Sequence, residues 1–263
     1  MRTSLSPNST RQPWEAENAP GEVQVRLGNR YHGQLGFRRL VLAETLLALM
    51  QQQLPAPSWR LRSATLKFAG YATRAPASVV TVHRAVFPGS MLANVRLIQH
   101  GRMLGICVGA FEREWRPAVA PPPVPPALGM PQRLPPLQNW PEDAENDCRD
   151  ASSRLQASSG SAVLGGFARH REPRRFGPEH VPTLLEPWLA MPDPSGRWRE
   201  VDEIVLEMHA QGNSSEMHSG GYYQVVVERR EWSSEAERLA GSIWSPSGKP
   251  VATAHLATRL TDL

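Results

Sequence analysis

The sequence predicts an α+β fold of two similar halves, each an antiparallel curved sheet packed on one helix. Three observations predict it. Strand-like alternation, a helix-length apolar segment and a further run of strand-like segments come in that order near the start, and again after residue 160. A proline-rich stretch separates the two runs. At 263 residues, 40% of them hydrophobic, the chain is long for one compact domain and comfortable for two with real cores.

In the first half, Val23, Val25 and Leu27 alternate with Glu22, Gln24 and Arg26, the period of a half-buried strand. Gly28 to Gly33 reads as a turn. Residues 34–54 then run without proline and carry Leu40, Leu42, Leu46, Leu47, Leu49 and Met50, a broad apolar face that predicts a helix of about five turns. Pro55 and Pro57 end it. Strand-like segments follow at residues 59–68, 77–86, 91–99 and 103–111, the last two flanking His100-Gly101-Arg102 as a tight hairpin. One long helix on an antiparallel sheet buries both.

Pro121 to Pro123 and the prolines around them exclude a sheet interior, so residues 116–159 are read as an extended linker of low regular structure. The second half then repeats the order: a strand at 162–170, a shorter helix at 179–191 with Val181, Leu184, Leu185, Trp188 and Leu189 on its apolar side, and strands at 203–210, 222–232, 237–244 and 250–260. Pro182 is tolerable near the helix start. The turn at Ser245 to Gly248 takes the place of His100-Gly101-Arg102, and Gly101-Arg102-Met103-Leu104-Gly105 lies opposite Gly248-Lys249-Pro250-Val251-Ala252. The expected partition is a mobile tail at 1–20, a first domain at 21–115, the linker at 116–159 and a second domain at 160–263.

Composition narrows the function. The net charge of +4 is mild, with no dense basic run interleaved with aromatics, so no nucleic acid is expected as partner. The two cysteines form no CxxC pair and no metal-like cluster, which suits a reducing, cytoplasmic setting. The polar first 20 residues lack the apolar core of a signal peptide, and no stretch has the length of a membrane span. There is no GxSxG elbow, no Walker or dinucleotide glycine pattern and no metal-ligand spacing, so neither cofactor nor metal is expected.

Tyr31-His32-Gly33-Gln34 before the long helix resembles the Phe-Gly-Gly-Gln or His-Gly-Gly turn of the tandem hotdog acyl-CoA thioesterases, where that turn leads into the central helix. Residues 93–102 resemble the family's sheet hairpin, as do residues 227–260, where Val-Glu, Ser-Ser, Gly, Ser-Gly and Val-Ala come at the family's spacing. The resemblance covers roughly residues 20–115 and 160–261. It implies a double hotdog fold that acts on acyl-CoA or a carrier-bound acyl thioester, with a possible homo-oligomer. The backbone N–H groups from Gly33 to Gly36 would face the thioester oxygen at the positive end of the helix, and the glycines would permit close approach.

Bacterial members hold the attacking water with an Asp, a Thr and a Gln in the second half. An ungapped extension from Val227-Glu228 through Gly241 and Gly248 sets Arg230 at the Thr position and Leu256 at the Gln position. The Asp position falls near Val205, or at Glu203 after a two-residue shift that keeps the strand face. Leu256 cannot bond a water and Arg230 cannot act as a base. Three readings stand open. The first is a thioesterase using the other half, with Glu44 as carboxylate, His32 and Gln34 as polar groups of the turn, Gly33 and Gly36 as substrate-binding backbone, and Glu203 as a further acidic candidate. The second is a non-hydrolytic enzyme on the same scaffold, a cyclase, dehydratase or isomerase working on a polyketide- or fatty-acyl-like substrate. The third is a non-catalytic acyl-binding protein. Against their catalytic roles, Glu44 also reads as a solvent-facing or capping helix residue and Glu203 as a surface strand residue.

Overall fold

The computed structural model of the chain describes residues 16–19, 22–25, 37–52, 58–70, 77–113, 124–138, 140, 146–155, 163–172, 176–190, 196–209 and 220–261. In chain order its elements are β1 (Ala16–Ala19), β2 (Glu22–Val25), α1 (Phe37–Gln52), β3 (Arg60–Phe68), β4 (Ala77–Phe87), β5 (Ser90–Gln99), β6 (Arg102–Glu112), β7 (Asn146–Asp150), β8 (Val163–His170), α2 (His180–Leu189), β9 (Trp198–Met208), β10 (Tyr223–Trp232), β11 (Ala236–Trp244) and β12 (Pro250–Thr261).

All the strands join one antiparallel sheet of 12, in the order β1-β2-β4-β5-β6-β3-β9-β12-β11-β10-β8-β7. The second six strands retrace the first six in reverse, which is the repeat expected from sequence. Two separate sheets were expected. Instead β3 and β9, the inner edges of the halves, pair from Ser63↔Glu207 to Lys67↔Glu203, with Thr65↔Val205 at the centre. Pairing removes two edges that would otherwise leave rows of buried N–H and C=O groups unbonded.

Both helices pack on the sheet and against each other, and one apolar cluster runs through both halves, from Leu40 and Leu47 to Trp188 and Leu256. Small residues set the spacing. A side chain at Gly105 would stand 3.3 Å from Leu46, and one at Gly109 would meet Met50 and come within 3.1 Å of Leu61; Leu185 of α2 covers Gly241 in the same way. His100 (φ 51°) and Gly101 (φ 71°) both have positive φ, the turn that lets the twisted strands β5 and β6 close directly. The β11–β12 turn closes with Gly248 at φ 78° and its N–H on Ser245 O at 2.8 Å.

Two stretches depart from expectation. β1 lies in the segment read as a mobile tail and pairs with β2. β7 lies in the segment read as linker and pairs with β8, Cys148 opposite Ala168. Before β7, residues 124–138 cross the sheet face opposite the helices, where Leu128 and Leu134 form a second small core with Ala151 and Phe167. Arg154 Nη1 donates to Leu128 O at 2.7 Å and Gln224 Nε2 to Pro126 O at 2.8 Å, holding this strap in place.

The reason for β7 lies in α2. Pro187 stands inside that helix and has no N–H to offer the carbonyl of Thr183, four residues back. Asn146 of β7 supplies the missing donor, its Nδ2 reaching Thr183 O at 2.8 Å with both residues buried.

Candidate functional site

The groups that bear chemistry gather along α1 and at the two places where it meets the second half. Glu44 stands in the middle of α1 and is 3% exposed, so it is neither the solvent-facing nor the capping residue of its alternative reading. Leu46 and Met50 mark the sheet side of the helix, over Gly105 and Gly109. At about 100° per residue, Glu44 points about 160° away from Leu46, off the sheet. Gln51 shares that side to within about 20°. Its Nε2 donates to Glu179 Oε2 at 2.6 Å, immediately before α2.

That end of the seam is polar and closed. Gly177 N–H donates to His180 Nδ1 at 2.9 Å, which places the ring proton of neutral His180 on Nε2. The Glu179 carboxylate lies 3.6 Å from the same nitrogen. His170, at the end of β8, packs edge-on to His180 with ring centres 5.0 Å apart, and Phe176 stacks on Tyr223 at 4.7 Å. Burial pushes the Tyr223 hydroxyl up; burial and the charges of Asp147 and Glu186 do the same to the Cys148 thiol.

At the other end, Arg39 in the first turn of α1 is 3% exposed. Its Nη1 donates to Val201 O at 3.0 Å and to Asp202 Oδ1 at 2.5 Å, and its Nη2 is ion-paired with Glu200. Arg259 of β12 completes the group through Asp202 at 2.7 and 3.0 Å. The first turn of α1 holds no acidic residue. The two carboxylates that suit the positive end of a helix therefore come from β9. Close by on β9, Arg199 donates to Glu237 at 2.6 Å, and Arg229 reaches the same carboxylate at 2.6 Å. A small cavity of about 20 Å³ lies beside these two arginines, lined also by Leu164, Trp188, Val227 and Leu239.

The positions carried over from the bacterial thioesterases do not converge. Ile204 and Leu206 are buried, so Glu203 and Val205 take the opposite sheet face; Glu203 there lies 3.4 Å from exposed Lys67. The Arg230 side chain is 60% exposed beside Glu228, and Leu256 is buried in the core. His32, Gly33, Gln34 and Gly36 lie outside the described residues. His209 donates to or accepts from Thr253 at 3.1 Å, and His255 is exposed.

Sequence reading missed Arg39, Glu200, Asp202, Arg199, Arg229 and Glu237. Strand alternation does not announce a buried charge, but two arginines opening a helix without an acid were a signal that partners had to come from elsewhere. Sequence reading also missed the cleft of about 470 Å³ between residues 126–132 and Phe167, Tyr222, Gln224 and the β11–β12 turn. Beside it, burial alone would raise the Asp147 carboxyl, but hydrogen bonds from Tyr222 and Arg169 and the charge of Arg149 together hold it below the usual carboxylate value. Among the described residues no cluster of His, Cys, Asp and Glu suits a metal ion, and no helix is long and apolar enough to cross a membrane.

No family model and no curated protein matches the sequence. Solved structures do match in shape. A conserved protein of unknown function with a hot dog fold from Alicyclobacillus acidocaldarius superposes with a TM-score of 0.76 at 14% identity, over 95% of this chain and 96% of that one. An acyl-CoA thioesterase II, TesB2, from Mycobacterium marinum gives 0.77 at 14% identity, over 95% and 96%. A tesB protein from Mycobacterium avium subspecies paratuberculosis gives 0.72 at 13% identity, over 94% and 96%. The chain has the hotdog fold.

Proposed function

We propose that this chain is a double hotdog protein that handles acyl thioesters, hydrolysing acyl-CoA or a carrier-bound acyl thioester, with Glu44 as its working carboxylate. The reversed repeat of strand order supports two hotdog units, at 21–115 and 160–263. The likeness to structures titled as acyl-CoA thioesterases supports the substrate class. The observation that carries the choice of residue is the burial of Glu44 in mid-helix, turned off the sheet toward the side where Gln51 meets the second half. A carboxylate is seldom this deeply buried in a helix, and function is one physical reason to keep one there.

In this reading the acyl thioester lies on the side of α1 that is turned off the sheet, where Glu44 points, and the positive end of the helix favours the charge that develops on the thioester oxygen. Glu44 takes a proton from water as the water oxygen bonds to the carbonyl carbon. The carbon–sulfur bond then breaks, the thiol leaves with the proton returned, and a carboxylate product remains. His32 and Gln34 orient substrate or water in the turn. Glu203, on the far sheet face beside Lys67, has no part in it.

Purified protein is expected to release free thiol from medium- or long-chain acyl-CoA, and Glu44→Gln to lower the rate at least about a hundredfold, as loss of a general base does. A wild-type protein inert across a series of chain lengths, or a Glu44→Gln variant with normal turnover, sinks the assignment. The buried apolar Leu256 and the exposed Arg230 favour one second reading, a non-hydrolytic acyl transformation or acyl binding. Mass analysis separates its two forms: an isobaric product means rearrangement, and an unchanged retained ligand means binding.

A further inference from the structure

We infer that Arg39 and Gln51 are positioning residues: they pin the first half's helix to the second half at both ends and so set the place of Glu44. This rests on the proposed role of Glu44 and adds to it. The first pin is the Arg39 guanidinium on Val201 O, Asp202 and Glu200 of β9. The second is Gln51 Nε2 on Glu179 Oε2 at 2.6 Å. Glu44 lies between them, five residues after Arg39 and seven before Gln51.

The two pins differ in kind. Arg39 is buried and binds three acceptors with one planar group, a geometry that fixes direction as well as distance. Asp202 is itself held by Arg259 of β12, so the first pin ties α1 to two strands of the second half. The second pin is a single bond to a partly exposed carboxylate. Neither residue belongs to the thioester-binding turn. What they control is the angle and height of α1 over the sheet. A reacting group displaced by about 1 Å loses up to about a hundredfold in rate.

The test is a double-mutant cycle in turnover on the full chain. Arg39→Met, Arg39→Lys and Gln51→Leu are each made alone, and Arg39→Met and Gln51→Leu also in the Glu44→Gln background. All are assayed below their own unfolding transitions, with acyl-CoA as substrate. Arg39→Met is expected to lower kcat about ten- to a hundredfold with KM changed less than about threefold. Arg39→Lys recovers part of the loss, and Gln51→Leu shows a smaller fall. In the Glu44→Gln background neither change lowers the residual rate further, because the group being positioned is gone. Losses that multiply in that background, or an Arg39→Met protein with unchanged kcat, overturn the inference. Normal turnover in Glu44→Gln alone instead overturns the proposed role of Glu44, so the two failures are told apart.

Discussion

Asn146 and Pro187 make a prediction that only their joint role in α2 explains. A helix carbonyl four residues before a proline has no N–H to bond. Thr183 is 0% exposed and Asn146 1%, so water cannot take that place. Asn146→Ala therefore removes a buried 2.8 Å bond and strands a carbonyl. An unsatisfied buried acceptor costs about 1–3 kcal/mol, and the emptied side-chain volume adds to it. In a Pro187→Ala background the helix regains a main-chain donor aimed at Thr183 O, so the polar part of the cost vanishes and only the packing part remains. Urea unfolding of wild type, both single variants and the double variant measures the coupling. The expected value is about 1–2 kcal/mol in favour of the double variant. An Asn146→Ala cost that is the same in both backgrounds to within about 0.5 kcal/mol refutes the reasoning, because independent sites add to that precision.

Two further predictions concern titration. Asp147 is held below the ordinary carboxylate value by Tyr222, Arg169 and Arg149, so it adds stability that is complete above the unfolded carboxyl value of about 3.9 and is lost as pH falls through its lower folded value. Asp147→Asn is expected to cost stability at neutral pH, and its deficit relative to wild type is expected to shrink in urea titrations taken below about pH 4. Burial pushes the thiols of Cys107 and Cys148 up, leaving almost no thiolate near neutral pH. The folded protein is expected to resist a thiol-specific alkylating reagent, with both cysteines reacting once it is unfolded in urea.

Much of the fold was legible in the sequence because the signals were local. The proline-free run ending at Pro55 gave α1, and Gly101 and Gly248 gave the two hairpin turns. β7 was not legible. Asn-Asp-Cys-Arg-Asp has poor strand propensity, and it is a strand because α2 needs the Asn146 amide and β8 needs an edge partner. That requirement comes from Pro187, about 40 residues away. The site divides in the same manner. Glu44 was found because a carboxylate in an apolar helix stands out. The arginine–carboxylate groups at Arg39 and Glu237 were not found, since each member alone looks like a solvated charge on a strand or helix. The carried-over positions failed to meet because strand alternation and the bulge at Arg230, between Arg229 and Glu231, decide which face a residue takes, and sequence spacing does not record either.

Three buried carboxylates are paired with arginine. Glu237 lies between Arg199 and Arg229, Glu200 is paired with Arg39, and Asp147 is held by Arg169 and Arg149. Each of these three contacts arginine and so helps to hold strands and helices together. Three polar residues tie elements together: Asn146 serves a proline-broken helix, Glu237 pairs with Arg199 and Arg229, and Asp202 joins β9 to β12 and to α1. Helix α1 is apolar apart from Arg38, Arg39, Glu44, Thr45 and the two glutamines at its end, and Glu44 is buried in its middle.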